Sequence, residues 1–100
     1  MYDVLIIGSG PAGLTASIYA SRYKLSNLVI GALPGGTITY AHEVENFPGL
    51  PGVAGFGLGQ KMLEHAKSLG GEFLGEKVVE VVKAQSEEGE GFKVVTSGGK

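Results

Sequence analysis

The sequence predicts an α/β fold, in which a strand–helix–strand unit builds a parallel sheet and an antiparallel β-ribbon is appended to it. Three observations lead to this prediction. Two short aliphatic runs enclose a segment with helical spacing. A glycine-rich turn joins the first run to that segment, as in βαβ units. Later in the chain, two runs with strand character flank the polar stretch QSEEGEG, which is typical of a hairpin.

The first half of the chain supplies the βαβ unit. Val4–Ile7 is aliphatic on both faces and is bounded by glycine, which predicts a central parallel strand. Residues 11 to about 23 have helical spacing, and Pro11 suits the first helical turn, where its missing N–H has no cost. Residues 28–30 form the second aliphatic run. We therefore expect a Rossmann-like crossover between two parallel strands.

The second half is predicted to add a helix, a strand and the ribbon. Residues 31–52 are rich in proline and glycine but contain embedded apolar residues, so we expect a long structured loop. Glu72–Leu74 is predicted as a third parallel strand, and residues 76–84 and 92–96 as the hairpin strands. A helix should precede them and end at Gly70, with one apolar face formed by Leu58, Met62, Ala66 and Leu69.

The composition is that of one small globular domain. The 100 residues are 43% hydrophobic and 18% charged, and the formal net charge is −2 with both signs interspersed. With no basic patch and no apolar run of membrane-spanning length, we expect no nucleic-acid partner and no membrane partner. The start of the chain has no secretory signal, which predicts a cytoplasmic location.

The sequence also limits the chemistry available to the chain. It has no cysteine, which excludes a disulfide framework and a thiol nucleophile within these residues. His42 and His65 lie far apart with no ligand spacing around either, so we expect both at the surface and no metal centre. We identify no catalytic residue in the chain.

The stretch GSGPAG is the strongest local motif, because it follows a predicted strand and opens a predicted helix. In this G-x-G-x-x-G pattern Gly8 permits the tight turn, Gly10 lets a diphosphate approach the backbone, and Gly13 lets helix and strand pack closely. The N–H groups of Ala12 and Gly13, together with the helix dipole, favour an anion there. The pattern thus predicts dinucleotide binding, and the alternative is a tight turn without a ligand.

One part of the dinucleotide pattern is missing. An acidic residue normally lies about 20 positions after the loop, at the end of the second strand, where it holds a ribose hydroxyl. Gly31 occupies that place, and no Asp or Glu lies nearby. We expect either that backbone and water hold the ribose or that the adenosine end binds less tightly.

The stretches GSGPAGLTASIYASR, PGGTI and EVENFPG together resemble the FAD domain of low-molecular-weight thioredoxin reductases, within the pyridine nucleotide-disulfide oxidoreductase family. The resemblance runs from Tyr2 to about Val95. It implies that residues 1–100 are the N-terminal portion of an FAD-binding domain, an incomplete FAD/NAD(P)-binding fold. The NADPH domain and the C-terminal segment that closes the FAD site would then lie outside this chain.

The resemblance also implies a set of cofactor-binding positions. It implies that the glycine loop lines the FAD pyrophosphate and that the PGGT stretch runs beside the ribityl chain and flavin. It also implies that an asparagine forms a hydrogen bond near the isoalloxazine, and that the backbone of the late strand contacts adenine. Gly31 again stands where an acidic residue is commoner, and a threonine replaces the usual glutamine of the second stretch. These positions are Gly8, Ser9, Gly10, Pro11, Ala12, Gly13, Gly31, Gly35, Gly36, Thr37, Asn46 and Val78.

In such enzymes NADPH delivers a hydride to FAD, and the reduced flavin reduces a Cys-x-x-Cys disulfide that serves thioredoxin or a similar small redox protein. The resemblance implies the same for the full-length protein, as a homodimer, with the redox disulfide outside this chain and the 100 residues inactive alone. Two alternatives stay open. One is a ferredoxin or flavodoxin reductase of similar architecture without redox cysteines, and the other is a non-catalytic nucleotide-binding module.

Overall fold

The computed structural model describes residues 2–33, 35–40, 44, 48–49, 52–86 and 89–98. Within these residues the chain forms five strands, two α-helices and a short 3₁₀ helix. In chain order they are β1 (Val4–Ile7), α1 (Pro11–Arg22), β2 (Asn27–Ile30), the 3₁₀ helix (Gly36–Tyr40), α2 (Gly55–Ser68), β3 (Glu72–Leu74), β4 (Val78–Ser86) and β5 (Gly89–Thr96).

The three short strands form a parallel sheet in the order β1-β2-β3, which confirms the predicted βαβ unit and third strand. Within the described residues β2 is the middle strand and β1 lies at one edge. The prediction that Val4–Ile7 is a central strand stays a prediction for the whole sheet, but the two apolar faces of β1 already have a cause within the described residues. Ile6 packs against the helices, whereas Leu5 lines a cavity on the opposite face of the sheet. Apolar residues on both faces therefore indicate that other parts of the protein pack above and below a strand, and they do not show whether the strand is central or at an edge.

The core lies between the sheet and the two helices, which cover one face of it. Its buried members are Leu14, Val29, Leu63 and Ala66, with partly buried apolar residues around them. The helical face predicted for α2 was correct for Leu58 and Ala66, which are buried, but Leu69 is the C-cap and is 41% exposed. The chain turns at Gly70, whose φ of 108° is the left-handed conformation expected after a helix.

The antiparallel ribbon is longer than the sequence predicts. Gln85 pairs with Glu90 and Ser86 with Gly89, so residues assigned to a loose polar loop belong to the ladder. Polar character misled the prediction because β4 meets solvent on both faces: its consecutive residues Val81 and Val82 are 49% and 39% exposed, and such a strand does not need apolar side chains. The register shifts between Val78 and Glu80, which indicates a bulge or similar irregularity at the base of β4.

A cavity of about 420 Å³ separates the sheet from the ribbon. Its walls include Leu28 and Leu74 from the sheet and Val94 from the ribbon. At one end the Tyr2 hydroxyl donates a hydrogen bond to Glu72 over 3.2 Å. Partial desolvation, that hydrogen bond and the carboxylate charge raise the pKa of Tyr2 above its ordinary value.

A buried polar network fixes α1 to β2. Asn27 is 1% exposed, and its side-chain oxygen accepts a hydrogen bond from the fully buried hydroxyl of Ser17. Its amide group donates to Ser21 over 2.9 Å and to the carbonyl of Leu25 over 3.1 Å. Since every described buried side-chain polar atom has a partner, this network fixes the helix relative to the strand without leaving an unsatisfied group.

Replacing Asn27 by Ala should lower the free energy of unfolding by about 1–3 kcal/mol, because it leaves the buried Ser17 hydroxyl without its acceptor. Urea denaturation followed by circular dichroism measures the change. Thr15→Ala is the control, since Thr15 makes only an exposed hydrogen bond on the same helix, and it should stay within about 0.5 kcal/mol of wild type. Equal losses in the two variants would contradict a role for the network.

Candidate functional site: the glycine edge

Both connections that leave the first two strands begin at the carboxyl edge of the sheet. The N–H of Gly8 donates to the carbonyl of Ile30 over 2.8 Å, and the N–H of Gly31 donates to the carbonyl of Leu74 over 3.1 Å. Glycine thus follows β1 and β2 directly where parallel strands end together. This is the edge at which open α/β sheets bind ligands.

The three glycines of the G-x-G-x-x-G loop differ in what requires them. Gly8 has a φ of 112°, a conformation that side chains rarely adopt. Gly13 packs so closely on β1 that a Cβ there would overlap the carbonyl oxygen of Gly8 and lie 3.4 Å from Cγ2 of Ile6. The predicted close packing of helix and strand is confirmed. Gly10 has an extended backbone, and a Cβ there would make only ordinary contacts, 3.9 Å from Cα of Gly36 and 4.0 Å from the Gly35 carbonyl oxygen.

The N-terminus of α1 opens at this edge. Gly10 is its N-cap and provides no side-chain hydrogen bond, Pro11 lies in the first turn, and that turn has no acidic residue. The first-turn N–H groups of Ala12 and Gly13 have no acceptor within the helix. Together with the positive end of the helix dipole they form a surface without charged side chains whose potential favours an anion.

A second backbone segment packs against the glycine loop. The N–H of Gly35 donates to the carbonyl of Ser9 over 2.8 Å, and the Ser9 hydroxyl donates to the carbonyl of Leu33 over 2.6 Å. Gly36 has a φ of 67°, and a Cβ there would lie 2.7 Å from Cα of Gly10. The two glycine-rich stretches, which are separated by a helix and a strand in the sequence, are therefore in direct contact. We call the surface formed by Gly8, Gly10, Gly31, Gly35 and Gly36 the glycine edge.

The structure gives a physical reason for Gly31. A Cβ at this position would lie 2.7 Å from Cβ and 2.8 Å from N of Ser9, and would collide with the Ser9 hydroxyl. The place where an acidic side chain would begin is thus filled by Ser9. Ser9 is itself 5% exposed: its hydroxyl donates to the carbonyl of Leu33 and its carbonyl accepts from Gly35, so the residue holds the two segments together.

The remaining sequence-predicted positions are only partly placed at this edge. Thr37 lies in the 3₁₀ helix that continues from Gly36. Val78 lies at the base of the ribbon, where it pairs with Thr96. Asn46 and His42 fall outside the described residues. His65 is exposed on α2, as expected.

Among the described residues, no three or more histidine, aspartate or glutamate side chains lie together as they would to hold a metal ion. Among the described helices there is also none that is both long enough and apolar enough to cross a bilayer.

The sequence analysis assigns no role to one residue that packs behind the glycine edge, a glycine near the start of α2. Gly59 is buried, and its Cα would lie 2.8 Å from a Cβ at Gly35. The signal that could have found it is the four-residue spacing of Gly55 and Gly59, which places both on one face of the helix.

The family model for pyridine nucleotide-disulphide oxidoreductases matches residues 2–97. The chain therefore belongs to this family. It is also similar to individual members. It is 45% identical over 101 residues to the thioredoxin reductase of Bacillus subtilis and 46% identical over 101 residues to that of Listeria monocytogenes. All of this chain aligns in both comparisons, but it spans only 30% of the length of each relative.

A solved structure shows the same fold. The thioredoxin reductase from Gloeobacter violaceus superposes with a TM-score of 0.83 at 32% identity, covering 98% of this chain and 30% of that protein. The Rossmann-like sheet with its appended ribbon is therefore the fold of the corresponding part of a thioredoxin reductase.

Replacing Gly31 by Ala should lower the free energy of unfolding by about 1–3 kcal/mol, because the new methyl group must displace Ser9. The same substitution in a Ser9→Gly background should be less destabilising, since the colliding Cβ and hydroxyl are gone. A double-mutant cycle by urea denaturation measures this coupling. Strictly additive losses would contradict the steric explanation for Gly31.

Proposed function

We propose that the chain is the FAD-binding portion of an NADPH-dependent, thioredoxin reductase-like flavoprotein. In this proposal the glycine edge holds the FAD diphosphate and the adjacent part of the cofactor. The family membership and the similarity to thioredoxin reductases support the enzyme class. Because the chain spans 30% of those relatives, the activity is proposed for the full-length protein.

The observation that carries the proposal is Gly10. Its φ of −78° is open to any residue, and no protein atom described around it would collide with a Cβ. Gly8 and Gly13 are explained by conformation and packing, but neither reason applies to Gly10. A ligand that must touch the backbone explains a bare Cα at this position, beside the N–H groups of a helix N-terminus.

The described residues fit an FAD diphosphate. The first-turn N–H groups of Ala12 and Gly13 would donate to phosphate oxygens, and the helix dipole would stabilise their negative charge. Gly36 would keep the second segment close to the diphosphate position, since it has no side chain to separate it from Gly10. Ser9 would hold the two segments together through its carbonyl and its hydroxyl.

When bound, FAD would supply the redox chemistry that links a two-electron nicotinamide donor to a disulfide acceptor. The net reaction would consume one NADPH and one proton and convert one disulfide into two thiols. Since the chain has no cysteine, the Cys-x-x-Cys pair would lie elsewhere in the protein. Thioredoxin or a similar small redox protein would be the partner of a homodimeric, cytoplasmic enzyme, and the role of these residues is to bind and orient the cofactor.

Replacing Gly10 by Ser should abolish or strongly weaken FAD binding while leaving the apoprotein at least as stable as wild type. Serine is a better N-cap than glycine, so its hydroxyl would bond to the N–H of Ala12 or Gly13. The same hydroxyl would fill the diphosphate position and remove a donor from it. The visible flavin spectrum of the purified full-length protein and thermal unfolding of the apoprotein measure the two effects.

The matched control is Gly91→Ser on β5, where an added Cβ meets no atom within 4 Å. This variant should keep wild-type FAD content. Tight FAD binding by the Gly10→Ser protein would refute the site, whatever its stability.

The reaction itself is tested by adding thioredoxin disulfide and NADPH to the full-length protein and measuring thiol formation. We expect turnover with NADPH that is lost when the downstream redox cysteines are replaced. Flavin reduction by NADPH with electron transfer to ferredoxin or flavodoxin, but not to thioredoxin, would instead favour the ferredoxin or flavodoxin reductase alternative.

A further inference from the structure

Helix α2 begins with an arrangement that helix propensity does not favour. Gly55, Gly57 and Gly59 all lie within its first five residues. A glycine inside a helix costs about 1 kcal/mol relative to alanine. Gly55 and Gly59 are buried, whereas Gly57 is only partly buried and a Cβ there would meet no atom within 4 Å. The buried pair therefore needs a packing explanation that Gly57 does not.

For Gly59 that explanation is its contact with the glycine edge. A Cβ at Gly35 would lie 2.8 Å from Cα and 3.4 Å from the carbonyl carbon of Gly59. The same Cβ at Gly35 would lie 2.9 Å from Cγ2 of Thr39. The main chain of the second segment thus lies directly on the main chain of α2, with no side chain between them.

The next residue along the chain makes the corresponding contact on the other side. A Cβ at Gly36 would lie 2.7 Å from Cα of Gly10. Two consecutive glycines therefore fit between the N-terminus of α1 and the first turns of α2. Since protein interiors are close-packed, a change in thickness on the α2 side must move the segment, the helix or both.

We propose that Gly59 is a positioning residue for the cofactor, and this inference rests on the proposed function above. Gly59 acts through Gly35: its bare Cα sets how far the second segment lies from α2, and hence how closely Gly36 approaches Gly10 and the diphosphate position. Because Gly59 is buried, a side chain there has no solvent to enter and must displace its neighbours, among them the segment at Gly35, toward the space that the cofactor needs. Helix α2 contributes none of the cofactor-binding positions predicted from the sequence, but in this proposal it sets the width of the site.

The test compares Gly59→Ala with Gly57→Ala in the full-length protein. Both substitutions raise helix propensity equally, and they lie two positions apart on different faces of the same helix. The dissociation constant for FAD is measured by fluorescence titration of the apoprotein, and the visible circular dichroism of the flavin is recorded at saturation. Thermal unfolding of each apoprotein shows whether the variant is folded.

We expect Gly57→Ala to match wild type in FAD affinity and in flavin dichroism. Gly59→Ala should bind FAD about tenfold more weakly, with an altered flavin dichroism at saturation. Gly59→Leu should be weaker again, and if it does not fold, the alanine pair decides alone. The dichroism separates positioning from stability, because a protein that is only less stable still presents the same site to bound flavin.

Two negative results are distinguishable. If wild type binds FAD and both alanine variants match it in affinity and dichroism, Gly59 is not a positioning residue and the proposed function stands. If the wild-type protein binds no FAD, the proposed function fails and the inference fails with it.

Discussion

The glycine edge depends on main-chain contact between two segments that are distant in sequence. Gly35 donates to the carbonyl of Ser9, and Gly36 approaches the Cα of Gly10 so closely that a Cβ on Gly36 does not fit. These contacts bring the N-terminus of α1 and the start of the 3₁₀ helix to one surface. Without them the helix would still present its N–H groups, but the second segment would not form a wall beside them.

The rest of the fold holds these two segments in place. Parallel pairing of β1, β2 and β3 makes their connections begin at one edge, and the buried Asn27 network fixes α1 against β2. Helix α2 packs on the other side of the second segment through Gly59. The candidate site is therefore built almost entirely from backbone. Side chains outside it contribute by fixing the positions of the helices and strands from which it is formed.

Much of this arrangement follows from local sequence signals. The aliphatic runs, the proline in the first helical turn and the glycine after α2 predict their elements because each expresses a conformational preference of its own backbone. The roles of Gly8 and Gly13 follow for the same reason. The resemblance to thioredoxin reductases adds the prediction of a second cofactor-binding stretch at PGGT, which spacing alone does not give.

What the sequence could not supply depends on contacts between distant residues. The absence of an acidic residue at Gly31 has no local explanation, but it follows at once from the position of the Ser9 side chain. Gly57 and Gly59 have the same helix propensity, and they are distinguished only in the fold, where Gly59 is buried and contacts Gly35. The order of the strands and the length of the ribbon likewise depend on pairing partners that no single segment specifies.

A surface made of touching backbones has an evolutionary consequence. A leucine in a core can be exchanged for isoleucine or methionine in small steps, but glycine has no smaller neighbour among the amino acids. At Gly35 and Gly36 every substitution adds atoms to a contact that has no free volume. These two glycines therefore cannot be exchanged in small, tolerated steps. Divergence within such a fold must accumulate in the outward-facing residues, while the bare contacts remain as they are or are lost together with the ligand.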